Sequence, residues 1–197
     1  MNGISIMKPQ WSKDSTMNSG SCLKGVGPWG VLPVCIMFFL FFTGCAGNKP
    51  LAQGDILPAF MLQTIDHTRF YANRQKGHVT VLVFWATWCN YCKQELIEIK
   101  KLPAQFAPGR VMVAGICTDP ENAEQIRQVV QGFHINFPML LDEGARLFKR
   151  LGLNAYPTTV AVDPDGRVIM IAKGFSETVY HQMMSKITLA LEADNKG

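Results

Sequence analysis

Val79–Trp85 (VTVLVFW) is the feature that most narrows the fold: seven consecutive strand-favouring residues with almost no alternation between apolar and polar positions. A strand with one wet face alternates with period two, so an unbroken run belongs to a strand covered on both faces, which requires a layer on each side of the sheet. Val111–Cys117 repeats the pattern. Between and after these runs the period lengthens to that of a helix. Residues 89–106 place Leu96, Ile99, Leu102 and Phe106 on one side, and Pro103 predicts a kink or an end there. Asp119-Pro120-Glu121 reads as a helix start with a capping side chain, and Ile126, Val129, Val130 and Phe133 form its apolar stripe. Residues 59–63 and 69–71 read as a hairpin, 137–141 as a strand, and 143–151 as a short helix closed by Gly152. Thr158–Val162 and residues 167–173 read as strands joined by the tight turn Asp163-Pro164-Asp165-Gly166. Ser176 caps a last helix that buries Val179, Met183, Ile187 and Leu191. The expected fold is therefore α/β, a three-layer sandwich around a mixed β-sheet, and neither a helical bundle nor a β-barrel.

Ahead of these patterns, residues 31–42 (VLPVCIMFFLFF) carry no charge; Lys24 precedes them and Thr43-Gly44-Cys45-Ala46-Gly47 follows. Twelve helical residues cover about 18 Å of a hydrocarbon core about 30 Å thick, so the stretch reads as an export signal, with an uncleaved anchor as the alternative. Met17 is an alternative start, which sets the signal at residues 17–44. Phe42-Thr43-Gly44-Cys45 resembles the lipobox of bacterial lipoproteins, although Phe42 stands where that family usually has Leu. The resemblance implies lipidation of Cys45 as the first mature residue and a membrane tether at the N-terminus. The expected organisation is residues 1–44 as extension and signal, 45–54 as a linker reaching at most about 30 Å, and 55–193 as the globular domain.

Of 19 basic and 15 acidic residues, Lys8, Lys13, Lys24 and Asp14 precede residue 45, so the remainder is nearly balanced. No basic run or stripe with interleaved aromatics is present, so no nucleic-acid partner is expected. The chemistry lies elsewhere. Cys89-Asn90-Tyr91-Cys92 follows the first buried strand directly and opens a helix. Unpaired N–H groups and partial positive charge at a helix start favour a thiolate at Cys89. Cys92, one turn inside, is close enough to form a disulfide yet shielded, so Cys89 is the attacking sulfur and Cys92 the resolving one. A zinc site would need a second ligand pair, and within residues 55–193 only Cys117 and four scattered histidines remain, so no metal or cofactor is expected. A purely structural disulfide closing so short a loop would restrain little of the unfolded chain. Cys117, at the end of the second buried strand, reads as a small buried hydrophobe, with a third redox thiol as the alternative.

WATWCNYC after a buried strand, with Tyr156-Pro157-Thr158-Thr159 before a later one, resembles the thioredoxin superfamily, and within it the exported, membrane-tethered TlpA and ResA-like branch. The likeness spans residues 55–191. Gly54 to Leu62 is similar to that branch's N-terminal β-hairpin, and the segment between Pro120 and Asp142 to its central helix-strand insertion. The buried acid of cytosolic thioredoxin falls on Val83, whereas Glu95 matches the acid that ResA-like proteins carry three residues after the second cysteine. On a helix that spacing sets Glu95 beside Cys92, where a carboxylate can take up its proton; the alternative is a solvated glutamate such as Glu98. The resemblance also implies a cis bond at Pro157, a backbone edge at Tyr156 for an extended substrate, and a contact surface at Trp88 and Tyr91, for which packing positions are the alternative. It implies protein disulfides as substrates, apocytochrome c the commonest, a membrane thiol carrier as electron donor, and a location facing the periplasm or extracytoplasmic space. Three other readings share the fold. A disulfide-forming oxidase uses the same residues. A thiol peroxidase would need the pattern Pro-x-x-x-Thr-x-x-Cys, which falls here on Leu82 and Ala86. A Sco-like copper-binding assembly factor would need one more residue between the cysteines and a distal histidine, and His134 lies in no matching motif.

Overall fold

The computed structural model describes residues 49–75, 77–120 and 123–195. Residues 1–48 lie outside that description, and with them the expected signal, the alternative start at Met17 and Cys45. Among the described residues no helix is long and apolar enough to cross a membrane.

Seven strands form one mixed sheet: β1 (Met61–Thr64), β2 (Arg69–Tyr71), β3 (Val79–Trp85), β4 (Val111–Cys117), β5 (Met139–Leu141), β6 (Thr158–Val162) and β7 (Val168–Lys173). Their spatial order is β2-β1-β5-β4-β3-β6-β7. β3 runs parallel to β4 and antiparallel to β6, β4 runs parallel to β5, and the N-terminal hairpin joins through the antiparallel pair β1–β5. Every residue of β3 is buried. Its alternate residues serve two cores. Val79, Val81, Val83 and Trp85 face α1 (Asn90–Ile99), α2 (Ala123–Gly132) and α4 (Glu177–Asp194), while Leu82 and Phe84 face the short α3 (Arg146–Arg150) and Phe60 and Phe70 of the hairpin region. This is the two-sided burial that the unbroken apolar run predicts.

The differences from expectation have local causes. α1 stops at Ile99, not near residue 106, because Pro103 lacks an N–H and the chain tightens into a 3-10 turn at Pro103–Gln105. Leu102 stays fully buried across the change, which is why the apolar period outlasts the helix. α3 is shorter than 143–151 because Gly144 and Ala145 are left-handed, with φ of 65° and 53°. The buried carboxylate of Asp142 starts it, accepting the N–H groups of Leu147 and Phe148 at 2.9 Å each. β5 is confined to three residues beside Gly115 of β4, where a side chain would run into Met139. The Met139 sulfur accepts the indole N–H of Trp85 at 3.1 Å.

Candidate active site

Cys89 is the N-cap of α1, with extended backbone, and its sulfur accepts the Cys92 N–H at 3.1 Å. The two cysteines are joined as a disulfide with a Cα–Cα separation of 5.2 Å. The sulfur that caps the helix therefore sits where orphan N–H groups and the helix dipole favour negative charge, and reduction would leave a thiolate facing donors already in place. Cys89 is 6% exposed and Cys92 fully buried, so only the first offers an approach to a substrate.

The loop before Cys89 is anchored from β4. Both oxygens of Asp119 accept the Thr87 N–H, at 2.9 and 3.1 Å, and one also accepts the Thr87 hydroxyl at 2.7 Å. Asp119 reads from the sequence as the cap of the next helix; in the structure its carboxylate reaches across to the active-site loop, and the described part of that helix starts at Ala123. The Cys117 thiol also donates to Asp119, at 3.3 Å, from a buried position.

Trp88 and Tyr91 flank the disulfide and are among the most exposed large apolar residues, at 67% and 72%. Packing positions they are not. The Trp88 ring meets that of Tyr156 edge-on at 5.6 Å, and Tyr156 stacks on Phe148 of α3 at 4.5 Å. The Tyr156 hydroxyl lies 2.8 Å from that of Thr118, and burial raises its pKa above the ordinary phenol value, so it remains neutral. The Tyr156–Pro157 peptide is cis. Pro157 is buried and its carbonyl accepts the Gly174 N–H at 2.7 Å, whereas the Tyr156 main chain has no hydrogen-bond partner among the described residues.

Beneath Cys92 the chemistry changes. Glu95 is 1% exposed, quite unlike Glu98, which pairs with Lys101 at the surface. One Glu95 oxygen accepts the Thr159 hydroxyl at 2.6 Å, and the other has no partner among the described residues. Burial is the larger influence and the Thr159 hydrogen bond opposes it, leaving a pKa raised from 4.5 to about 7. Thr159 stands opposite Val83 in the β3–β6 ladder. The carboxyl therefore reaches from the helix to the patch of sheet around the position where cytosolic thioredoxin carries its acid. Such a group can hold or release a proton near neutral pH.

Among the described residues no three His, Cys, Asp or Glu side chains are grouped to hold a metal ion, and His134 lies in the turn after α2. The residues that sequence reasoning missed are Thr87, Thr118, Phe148, Thr159 and the anchoring role of Asp119. Only Thr159 had a local signal, its place two residues after Pro157. The others act through tertiary contacts.

The profile of the AhpC/TSA family matches residues 53–171. Thiol-disulfide oxidoreductase ResA of Bacillus subtilis is 24% identical over 156 residues, covering 78% of this chain and 87% of ResA. Thioredoxin-like protein YneN of the same organism is 32% identical over 134 residues, covering 64% of this chain and 75% of YneN. A crystal structure from Chlorobium tepidum, assigned to thiol:disulfide interchange protein DsbE, superposes with a TM-score of 0.66 at 23% identity, covering 72% of this chain and 99% of that one. That likeness carries the thioredoxin fold. With the helix-capping disulfide at the end of a buried strand, these matches make the chain a thiol-disulfide oxidoreductase of the thioredoxin superfamily, and it belongs to the AhpC/TSA family in its TlpA/ResA-like branch.

Proposed function

We propose that this oxidoreductase works as a reductase of protein disulfides outside the cytoplasmic membrane, of the apocytochrome c maturation type, held to that membrane by lipidated Cys45 or by an uncleaved signal. The observation that carries the reading is Glu95: buried, with one oxygen unpartnered and a pKa of about 7, one helical turn beyond Cys92.

In the reduced enzyme the Cys89 thiolate attacks one sulfur of the substrate disulfide, and the other leaves as a thiolate that takes a proton from water. Cys92 then passes its proton to the Glu95 carboxylate and attacks the Cys89 sulfur. The second substrate sulfur leaves as a thiolate that takes a proton from water, and the enzyme is left in the disulfide state seen in the structure, with the Cys92 proton on Glu95. Two electrons must then be returned by a thiol donor, for which a membrane thiol carrier is the expected class. Trp88, Tyr91 and the unpaired main chain of Tyr156 form the surface against which an extended substrate would lie.

The deciding measurement is the potential of the Cys89–Cys92 couple. A value at or below about −270 mV supports the reductase, and one near about −120 mV makes the chain a disulfide-forming oxidase instead. Mass spectrometry of the mature protein tests the tether: an unmodified chain retaining residues 31–44 would rule out lipidation at Cys45.

A further inference from the structure

A groove of about 480 Å3 opens beside the disulfide between the first turn of α1 and α2, bordered by Trp88, Lys93, Gln125, Gln128, Val129 and Phe133. It is distinct from the Tyr156–Pro157 edge. Trp88 stands between the two, meeting Tyr156 on one side and bordering the groove on the other. At its far end Lys100 donates to the Phe133 carbonyl at 2.6 Å, tying α1 to the end of α2.

The charge in the groove is one-sided. Among the described residues Lys93 is its one ionisable lining residue, and it is partly buried. The acids around it are engaged elsewhere: Glu98 pairs with Lys101 at 2.7 Å and Glu124 with Arg127 at 3.9 Å, Glu95 is buried against Thr159, and Asp119, behind Thr87 at the groove's edge, is taken up by the Thr87 N–H and hydroxyl. Among the described residues Lys93 has no carboxylate partner. Its ammonium offers three donors, the Gln128 carboxamide can donate or accept, and Val129 and Phe133 add apolar wall. This suits a polypeptide bearing an acidic side chain better than a compact polar solute.

We propose that the groove is a docking subsite for the substrate polypeptide, selecting a carboxylate side chain two to four residues from the cysteine under attack, on the flank leading away from Tyr156. The proposal rests on the reading of protein disulfides as substrates. One helical turn, about 6 Å of rise, separates Lys93 from Cys89, and two to four extended residues span about 7 to 13 Å, enough to cross Trp88 and meet the ammonium. A charge at this distance acts on capture and orientation of the substrate and is weakened by salt.

The test uses the reduced protein and disulfide-linked peptides carrying Glu, Gln or Lys three residues before or after the cysteine, with rates read by acid quench and mass analysis. Lys93 also neighbours the reacting cysteines, so the quantity compared is the ratio of Glu-peptide to Lys-peptide rates, in which a common change in thiol reactivity cancels. The parent is expected to favour the Glu peptide about 5- to 10-fold on one flank only, with the ratio falling towards one at 0.5 M salt. Lys93→Met should bring the ratio near one, and Lys93→Glu should invert it. A ratio unchanged in Lys93→Glu, or equal on both flanks, overturns the subsite. If no peptide is reduced, the Gln control included, the reading of protein disulfides as substrates fails, and the subsite falls with it.

Discussion

The two halves of the Cys89–Cys92 disulfide lie one helical turn apart in opposite surroundings. On the outer half, Cys89 caps α1 between Trp88 and Tyr91, which are mostly exposed, and the main chain of Tyr156, whose ring meets Trp88, has no hydrogen-bond partner among the described residues. On the inner half, Cys92 has no exposed surface and lies one turn from Glu95, 1% exposed and bonded to Thr159. One face of the turn is arranged for contact with another molecule, the other for handling a proton without water. The helix start makes the division possible, because it supplies donors to the first sulfur while carrying the second into the core.

The division is broken most severely at the sulfurs themselves. Cys89→Ser should abolish disulfide exchange, by roughly three orders of magnitude or more, because the attacking sulfur is lost. Cys92→Ser should leave the first attack in place and accumulate the mixed disulfide, visible as a covalent adduct by mass spectrometry. If Cys92→Ser abolished adduct formation and Cys89→Ser did not, the outer and inner assignments would be reversed.

The inner half is sharpened through Glu95. Ionised Glu95 is the form that accepts the Cys92 proton, so the resolving step should accelerate as pH rises through about 7. Glu95→Gln should slow that step about 10- to 100-fold and remove the inflection, while leaving the first attack of Cys89 nearly unchanged. Thr159→Val removes the hydrogen bond that lowers the Glu95 pKa, so the inflection should move to higher pH, a shift that a purely structural defect would not produce.

The same carboxyl links stability to pH. Its pKa is raised on folding from 4.5 to about 7, so over that window the folded state holds a proton that the unfolded chain releases. The contribution is fully present below pH 4.5 and is lost as pH rises through about 7, by about 3 kcal/mol. Urea midpoints of the disulfide form at pH 4.5 and pH 8 should differ in that direction, and Glu95→Gln should flatten the difference by gaining stability at pH 8. An unchanged pH dependence in the variant would mean that Glu95 is solvated and that the inner half is not dry.

What the sequence made legible follows the range of the interactions involved. Burial of β3 on both faces, the cysteines at a helix start and the spacing from Cys92 to Glu95 are short-range patterns, and each was readable without coordinates. The partner of Glu95 was not, because Thr159 lies 64 residues away and meets it only through the β3–β6 register. Asp119 carries a role that its local pattern does not announce. An aspartate before Pro-Glu satisfies every local rule for a cap, and nothing local reveals that Thr87, 32 residues earlier, is near enough to take both oxygens.

The smallest expected effects fall on the outer half and distinguish its two aromatic residues. Both are largely exposed, so Trp88→Ala and Tyr91→Ala should each change stability by about 0.5 kcal/mol or less. Their kinetic effects should differ. Trp88 is held edge-on against Tyr156, which is itself held by stacking on Phe148, so its ring is presented to a substrate with little rotamer freedom left to lose. Tyr91 makes no aromatic or cation–π ring contact among the described residues. It must be ordered at the moment of binding. Trp88→Ala should therefore raise KM for a protein disulfide about 5- to 10-fold and Tyr91→Ala about 2- to 3-fold, with kcat unchanged in both, since the resolving pair Cys92 and Glu95 is buried while both rings are mostly exposed. Equal losses would mean that the outer face binds by exposed apolar area alone, and a fall in kcat would mean that the outer half also takes part in resolution.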